Sequence, residues 1–298
     1  MNQFSSGGIM GIKRLVTAIL LAGGMSAATS ALAQNDRFAN VTIETVPVRG
    51  NISMLIGSGG NIGVSAGADG LLIIDDQYAP LAAKIKAALS QLGSDTPKFL
   101  LNTHFHGDHT GSNADFGVAS IIIAHENVRG RLVAGDSPSS ALPVVTFDDD
   151  VTVHFNGENI TLIHMPRGHT DTDSVVMFED TNVIHMGDHF FNGSFPFVDI
   201  ANGGTVQGYL VNLEKALSWI GDDTAVIPGH GPLGTKADLL AFYNVVKDTS
   251  TAIRVMKSQQ MSVEEAVAAG LGGEYASWGQ GFINEQRWIE TVFASYPR

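Results

Sequence analysis

The chain has 298 residues, 44% hydrophobic and 16% charged, with no cysteine and a formal net charge of −13. That is enough apolar material to bury a large core, and it excludes a disordered chain, disulfides and thiolate metal ligands. The acidic balance repels nucleic acid and anionic lipid at long range, and no run of Lys or Arg offsets it, so neither is expected as a partner.

Residues 1–33 differ from the rest. Lys13 and Arg14 precede the apolar run Leu15 to Ala22, and small residues end at Ala31-Leu32-Ala33, the succession of a secretory signal peptide cleaved after Ala33. The run is short and followed by Gly23 and Gly24, and no later stretch offers 18 consecutive apolar residues, so no spanning helix is predicted. Removing the leader takes away Lys13 and Arg14 and no acid, leaving 15 basic against 30 acidic residues, or −15. A periplasmic or secreted location is the expectation, with no membrane attachment after cleavage. A chain of this length needs no disulfide staples there.

Val41 to Val48, Ser53 to Gly57 and Gly63 to Ala66 are predicted as short strands between glycine turns, and the wholly apolar Leu71 to Ile74 as a buried one. Leu81, Ile85, Ala88, Leu89 and Leu92 recur at helical spacing in Pro80 to Leu92, which stops at Gly93. Lys98 to Thr103 is the next strand and runs straight into His104-Phe105-His106-Gly107-Asp108-His109. Further strands fall near Ile121 to Ile123, Val151 to Phe155, Ile160 to His164, Ser174 to Phe178, Val183 to Met186 and Ala225 to Pro228. Helices are predicted for Val206 to Ile220, Lys236 to Lys257, Val263 to Ala269 (behind the capping box Ser262 to Glu265) and Asn284 to Tyr296. Two groups of strands, each followed by helices, with no low-complexity linker between them, predict one α+β domain of two sheets packed face to face with helices outside.

Three histidines and an aspartate within six positions point to metal. In an extended strand end His104 and His106 project to one side and can hold one ion. Gly107 is expected to let the backbone swing Asp108 and His109 toward a second position. Three more candidates follow apolar strands: His169 in RGHTDTDS, Asp188 in VIHMGDHFF and His230 in VIPGHGP. Each stands beside glycine, as expected where backbone approaches a crowded site.

In this order the motifs H-x-H-x-D-H, H, D and H make the sequence resemble the metallo-β-lactamase superfamily of hydrolases over residues 41–298. The resemblance implies a four-layer αββα sandwich, with residues 34–298 as the hydrolase domain. It implies one metal on His104, His106 and His169, another on Asp108, His109 and His230, and Asp188 bridging them; the Asp108 carboxyl is expected to relay a proton to the leaving group. Two Zn2+ ions are the expected cofactors, with iron or manganese open because an all-N/O donor set selects weakly. A water shared by two ions ~3.5–4 Å apart loses its proton near neutral pH and becomes a nucleophile. The implied function is a secreted dinuclear zinc hydrolase that opens a small cyclic amide or ester, a β-lactam or a lactone. Asp188 stands where many β-lactamases of this fold carry cysteine, and His189, Phe190, Phe191 and Asn192 follow in place of a lysine that would grip a substrate carboxylate. The aspartate form is similar to glyoxalase II thioesterases and lactonases. A thioesterase of that kind, a mononuclear iron sulfur dioxygenase and a non-catalytic periplasmic binding factor are the alternatives.

Other residues carry two readings. Phe190, Phe191, Phe195 and Phe197 either wall an apolar substrate pocket or pack in the core. Met54 and Leu55 are expected in the core rather than in a flap. His189 either hydrogen-bonds substrate or faces solvent, and His125, His154, His164 and His185 are expected to be structural. Asp75 or Asp76 orients a ligand histidine, and the sequence does not say which.

Overall fold

Two mixed sheets carry the fold. The first contains β1 (Glu44–Arg49), β2 (Ile52–Ile56), β3 (Ile62–Gly67), β4 (Gly70–Ile74), β5 (Phe99–Leu101), β6 (Ile121–His125) and β7 (Val145–Phe147), in that spatial order. The second contains β8 (Asp150–Phe155), β9 (Glu158–His164), β10 (Ser174–Phe178), β11 (Val183–His185), β12 (Ala225–Ile227) and β13 (Gly234–Thr235), ordered from β13 to β8. The helices are α1 (Ala82–Ser90), α2 (Gly107–Thr110), α3 (Asn113–Phe116), α4 (Glu126–Ala134), α5 (Val206–Trp219), α6 (Lys236–Ser258), α7 (Val263–Ala269) and α8 (Glu285–Ser295).

This computed structural model describes Met1 and residues 37–296; residues 2–36, which hold the expected signal peptide and its cleavage point, lie outside the described residues. The chain divides into the units Met1–Val41 and Thr42–Arg298, and all the strands above belong to the second. No helix among the described residues is long and apolar enough to cross a membrane.

Alternation along the strands explains the layers. Met54, Leu72, Ile74, Leu101 and Ile123 from the first sheet share one core with Phe155, Ile160, Leu162, Val176 and Phe178 from the second. Residues of opposite parity in β10 and β11, Val175 and Ile184, join Val226 in a second core with Leu213, Phe242 and Trp288 of the helices. Leu71 and Ile73 are buried as well, so β4 is covered on both faces, and its unbroken apolar run is the sequence mark of that position. The αββα reading of the sequence is therefore what the chain builds. Met54 and Leu55 are wholly buried in β2, so they are core and not a flap.

Several elements were not legible. The expected strand 98–103 stops at Leu101. β7 is three residues long, and β13 only two. α4 has Gly130 in its middle, and its N-cap is a histidine, so neither periodicity nor a usual capping residue marks it; His125 Nδ1 accepts from the Asn127 amide at 3.2 Å.

What positions the site is strand direction. β4, β5 and β6 run parallel, as do β11 and β12. The loops after β4, β5, β11 and β12 therefore open at one edge of the sandwich, and the loop entering β10, antiparallel to β11, meets them there.

Candidate metal centre

The seven residues come together at that edge. Ligand-type atoms of His104, His106, His169 and Asp188 form one group, and those of Asp108, His109 and His230 a second, each within 4.8 Å of one another. His104 and His106 lie in the bend after β5, Asp108 and His109 in α2, His169 before β10, Asp188 after β11 and His230 after β12. Asp188 faces both groups. Its Oδ1 is 3.0 Å from His109 Nε2 and 3.3 Å from His230 Nε2, while its Oδ2 is 3.3 Å from His169 Nε2 and 3.8 Å from His104 Nε2.

The route to this convergence differs in two places from the sequence expectation. His104 and His106 are not on an extended strand: the chain bends after Leu101, and their rings cross at 86° with centroids 4.9 Å apart. His106 is the residue preceding α2, and the helical turn itself carries Asp108 and His109 inward. Gly107 does not have a positive φ, and a side chain there would meet nothing, so the turn does not depend on glycine. The close approach expected beside the ligands is real at Gly229, where a Cβ would overlap Asp188 Oδ1.

Partners behind the histidines fix their tautomers. His109 Nδ1 donates to Asp75 Oδ2 at 2.7 Å. Thr103 Oγ1 donates to the same oxygen at 2.7 Å and so accepts from His104 Nδ1 at 3.1 Å. His169 Nδ1 donates to the Phe197 carbonyl at 2.7 Å, and His106 Nε2 donates to Asp199 Oδ2 at 3.0 Å. Of the ring nitrogens left pointing inward, those of His104, His106 and His169 are lone pairs, with His169 Nε2 2.8 Å from His106 Nδ1, while His109 Nε2 lies 3.4 Å from His230 Nε2 and 3.0 Å from Asp188 Oδ1. His104 Nε2 is buried without a hydrogen-bond partner among the described residues. Three imidazole acceptors converging on a carboxylate are a poor arrangement for protein alone and a fitting one for a divalent cation.

Electrostatics agree. Burial pushes the Asp188 carboxyl up, but His109, His230, His169 and His104 outweigh it and hold it well below the usual carboxylate range. Burial lowers His109, yet Asp188, Asp108 and Asp75 together raise it well above an ordinary imidazole, the mark of a site with surplus negative charge. His104 and His169 are pushed down, chiefly by burial, His169 to about 4, which keeps both neutral and able to ligate. The mouth is formed by His106, Asp108 and His230, whose side chains are 18%, 22% and 28% exposed, while His104, His109 and His169 are sealed.

The family model of the metallo-beta-lactamase superfamily matches residues 55–230, a span that contains all seven of these positions. The chain belongs to the metallo-β-lactamase superfamily. A hydroxyacylglutathione hydrolase of Polaromonas sp. (strain JS666 / ATCC BAA-500) is 31% identical over 135 residues, 44% of this chain and 47% of that protein. An atrochrysone carboxyl ACP thioesterase of Aspergillus terreus (strain NIH 2624 / FGSC A1156) is 25% identical over 178 residues, 60% of this chain and 50% of that one. The chain thus spans about half the length of these curated relatives. A metallo-beta-lactamase from Pontibacter korlensis superposes with a TM-score of 0.59 at 18% identity, over 69% of this chain and 99% of that one, which shows the shared fold.

In this superfamily member the remaining candidates sort by contact. Asp75, not Asp76, serves a candidate ligand. Asp76 Oδ1 instead accepts the Ser112 amide at 2.9 Å, and burial raises its carboxyl well above the usual range. The four phenylalanines split: Phe190, Phe191 and Phe195 are buried in the core, Phe190 against Phe242, Phe195 against Trp288 and Phe191 stacked behind His230, whereas half-buried Phe197 stacks on His106. His189 neither meets solvent nor lies free for substrate. It is buried, stacked on Tyr209 at 5.2 Å, with Asn212 Nδ2 3.0 Å from its Nε2. His185 is structural, donating to the Asn61 carbonyl and accepting the Gly187 amide. His125 and His164 stack on each other at 3.7 Å, and exposed His154 pairs with Asn159. Asp199, behind His106, was missed, since nothing in FVDIANGG distinguishes it from an ordinary turn aspartate.

Proposed function

We propose that this chain is a dinuclear zinc hydrolase acting on a small carbonyl substrate, an ester, thioester or cyclic amide. One observation carries the reading: Asp188 presents one carboxylate oxygen to each of two groups of inward-facing imidazole nitrogens. His104, His106 and His169 would hold one ion, Asp108, His109 and His230 the other, and Asp188 both. Bound there, the ions would acidify a water and polarise the carbonyl.

The protein's own groups do the rest. Asp75, Thr103, Asp199 and the Phe197 carbonyl keep four ring nitrogens aimed inward, so no reorganisation is needed at the moment of reaction. Asp108 is partly exposed at the mouth, 3.4 Å from His230 Nε2, where its carboxyl can pass a proton to a leaving heteroatom. Half-buried Phe197 beside His106 offers an apolar surface at the mouth and favours an apolar group beside the scissile bond.

A β-lactam or a lactone fits the expected export of the chain, which the succession of residues 13–33 supports. A thioester is the second reading, favoured by the relative named as a thioesterase and by residues 189–192, which offer no cation for a substrate carboxylate. Metal analysis of the purified chain, with a hydrolysis panel of a β-lactam, a lactone, a thioester and a phosphodiester, tests the proposal. Two ions per chain and turnover of one of the first three are expected. Turnover of the phosphodiester alone would overturn the substrate class, and a protein that takes up no metal would overturn the centre itself.

A further inference from the structure

The Arg131 guanidinium reaches the candidate centre through two intervening side chains. Its Nη1 donates to Asn202 Oδ1 at 2.6 Å, Asn202 Nδ2 donates to Asp199 Oδ2 at 2.6 Å, and the same oxygen accepts His106 Nε2 at 3.0 Å. Each link has a single polarity. A guanidinium only donates and a carboxylate only accepts, so the Asn202 amide can stand only with its oxygen toward Arg131 and its nitrogen toward Asp199. The other side of Arg131 is locked as well. Nε and Nη2 donate to the two oxygens of Asp171 at 2.9 and 2.7 Å, and the guanidinium lies 5.2 Å over the ring of Phe105, the residue before His106.

We propose that Arg131 is a positioning residue for His106. By holding the Asn202 amide in one orientation it holds the Asp199 carboxylate on His106 Nε2, and so keeps His106 Nδ1 aimed inward. His106 needs such support more than its neighbours, being the exposed member of its group. The inference rests on the metal-centre reading above. The competing account is that Arg131 and Asp171, 29% and 36% exposed, form an ordinary surface ion pair that ties α4 to the segment before β10.

Asn202→Leu separates the two accounts, because it removes the side-chain link to Asp199 Oδ2 and leaves both the Asn202 backbone amide on Asp199 Oδ1, at 3.2 Å, and the Arg131–Asp171 pair intact. Zn2+ affinity would be measured on the full chain by competition with a chromophoric chelator, and the visible spectrum after Co2+ loading would report the geometry at the ion. Asn202→Leu and Arg131→Met are each expected to weaken one of two Zn2+ equivalents by roughly 3- to 10-fold, less than the roughly 10- to 100-fold of a direct ligand partner. Each should alter the Co2+ bands. The double variant should be no weaker than the single ones, because both cut the same series of bonds. Unchanged affinity and spectrum in Asn202→Leu, or additive losses in the double variant, would overturn the proposal. If Arg131→Met does not fold, Asn202→Leu decides alone. A wild-type chain that binds no Zn2+ overturns the metal centre together with this inference, whereas normal loading with unaltered variants overturns this inference only.

Discussion

Asp75 Oδ2 lies 2.7 Å from His109 Nδ1, with both side chains wholly buried. The carboxylate also accepts the Thr103 amide at 2.8 Å and the Thr103 hydroxyl at 2.7 Å, and through that hydroxyl it sets the tautomer of His104. One anion therefore orients a ligand in each of the two groups. Asp75 sits at φ 63°, a region asparagine tolerates, so Asp75→Asn keeps backbone and volume but turns one acceptor into a donor. Metal affinity is expected to fall roughly 10- to 100-fold, and stability by about 1–3 kcal/mol because a buried donor of Thr103 or His109 loses its partner. Chelator competition and urea unfolding read the two effects separately. Wild-type affinity in this variant would mean that His109 needs no anchor.

Asp108 carries a different expectation because it is at the mouth. Asp108→Asn keeps the side chain's size and one oxygen but removes its titratable proton. Turnover is expected to drop roughly 10²- to 10⁴-fold if the carboxyl relays the proton to the leaving group. The loss should shrink for substrates whose leaving group is a stable anion, since those need no proton. Equal losses across leaving groups of different basicity would remove the relay and leave Asp108 as a ligand alone.

The contrast between Asp75 and Asp199 shows what the sequence could tell. The seven candidate ligands, and Asp75 or Asp76 as a support, were legible because histidines and aspartates at strand ends beside glycine are chemically unusual. Asp199 was not, since it reaches His106 only through the path of the 187–204 loop, which no local pattern encodes. The strands of the two cores were legible from alternation and from wholly apolar runs. The bend at 102–106 was not, because a short β5 and a long one read alike until Asp75 takes the Thr103 amide that a further strand residue would have offered its neighbour. His189 was misread as open for the same reason: adjacency to Asp188 in sequence says nothing of direction, and the turn at 187–189 points it at Tyr209.

Gly229 tests how tightly the bridge is held. Its backbone donates to the Gly187 carbonyl at 2.8 Å, and a methyl group there would overlap Asp188 Oδ1. The same methyl would overlap the Gly187 carbonyl, so Gly229→Ala must move either the 228–231 segment, which carries His230, or the turn at 187–188, which carries Asp188. The expected cost is about 1–3 kcal/mol of stability from overpacking, with loss of at least one metal equivalent. Unfolding curves together with metal stoichiometry check it, and a variant that loads two ions normally would show that the bridge has slack.

The stacked pair His125 and His164 should make stability depend on acid in a defined window. Burial, followed by the neighbouring His125, pushes His164 down to about 4, and burial lowers His125 as well. Between an ordinary histidine value near 6.5 and about 4, the unfolded chain binds a proton at His164 that the folded chain refuses. Stability from this source is therefore undiminished above pH ~6.5, falls as the pH drops through the window, and levels off below about 4, where the folded chain protonates too. The loss attributable to His164 should be about 1–2 kcal/mol, reduced from the full linkage value because the ring is only partly buried. His164→Asn keeps a donor for the Asp173 carbonyl, which His164 Nδ1 meets at 2.8 Å, and removes the titration. The variant should be less stable than wild type at pH 7.5, having lost the stack, and its stability should fall less steeply toward pH 4.5. Urea unfolding across that range, in loaded and chelated protein alike, measures both slopes, and parallel slopes would show that the stack absorbs the proton without cost.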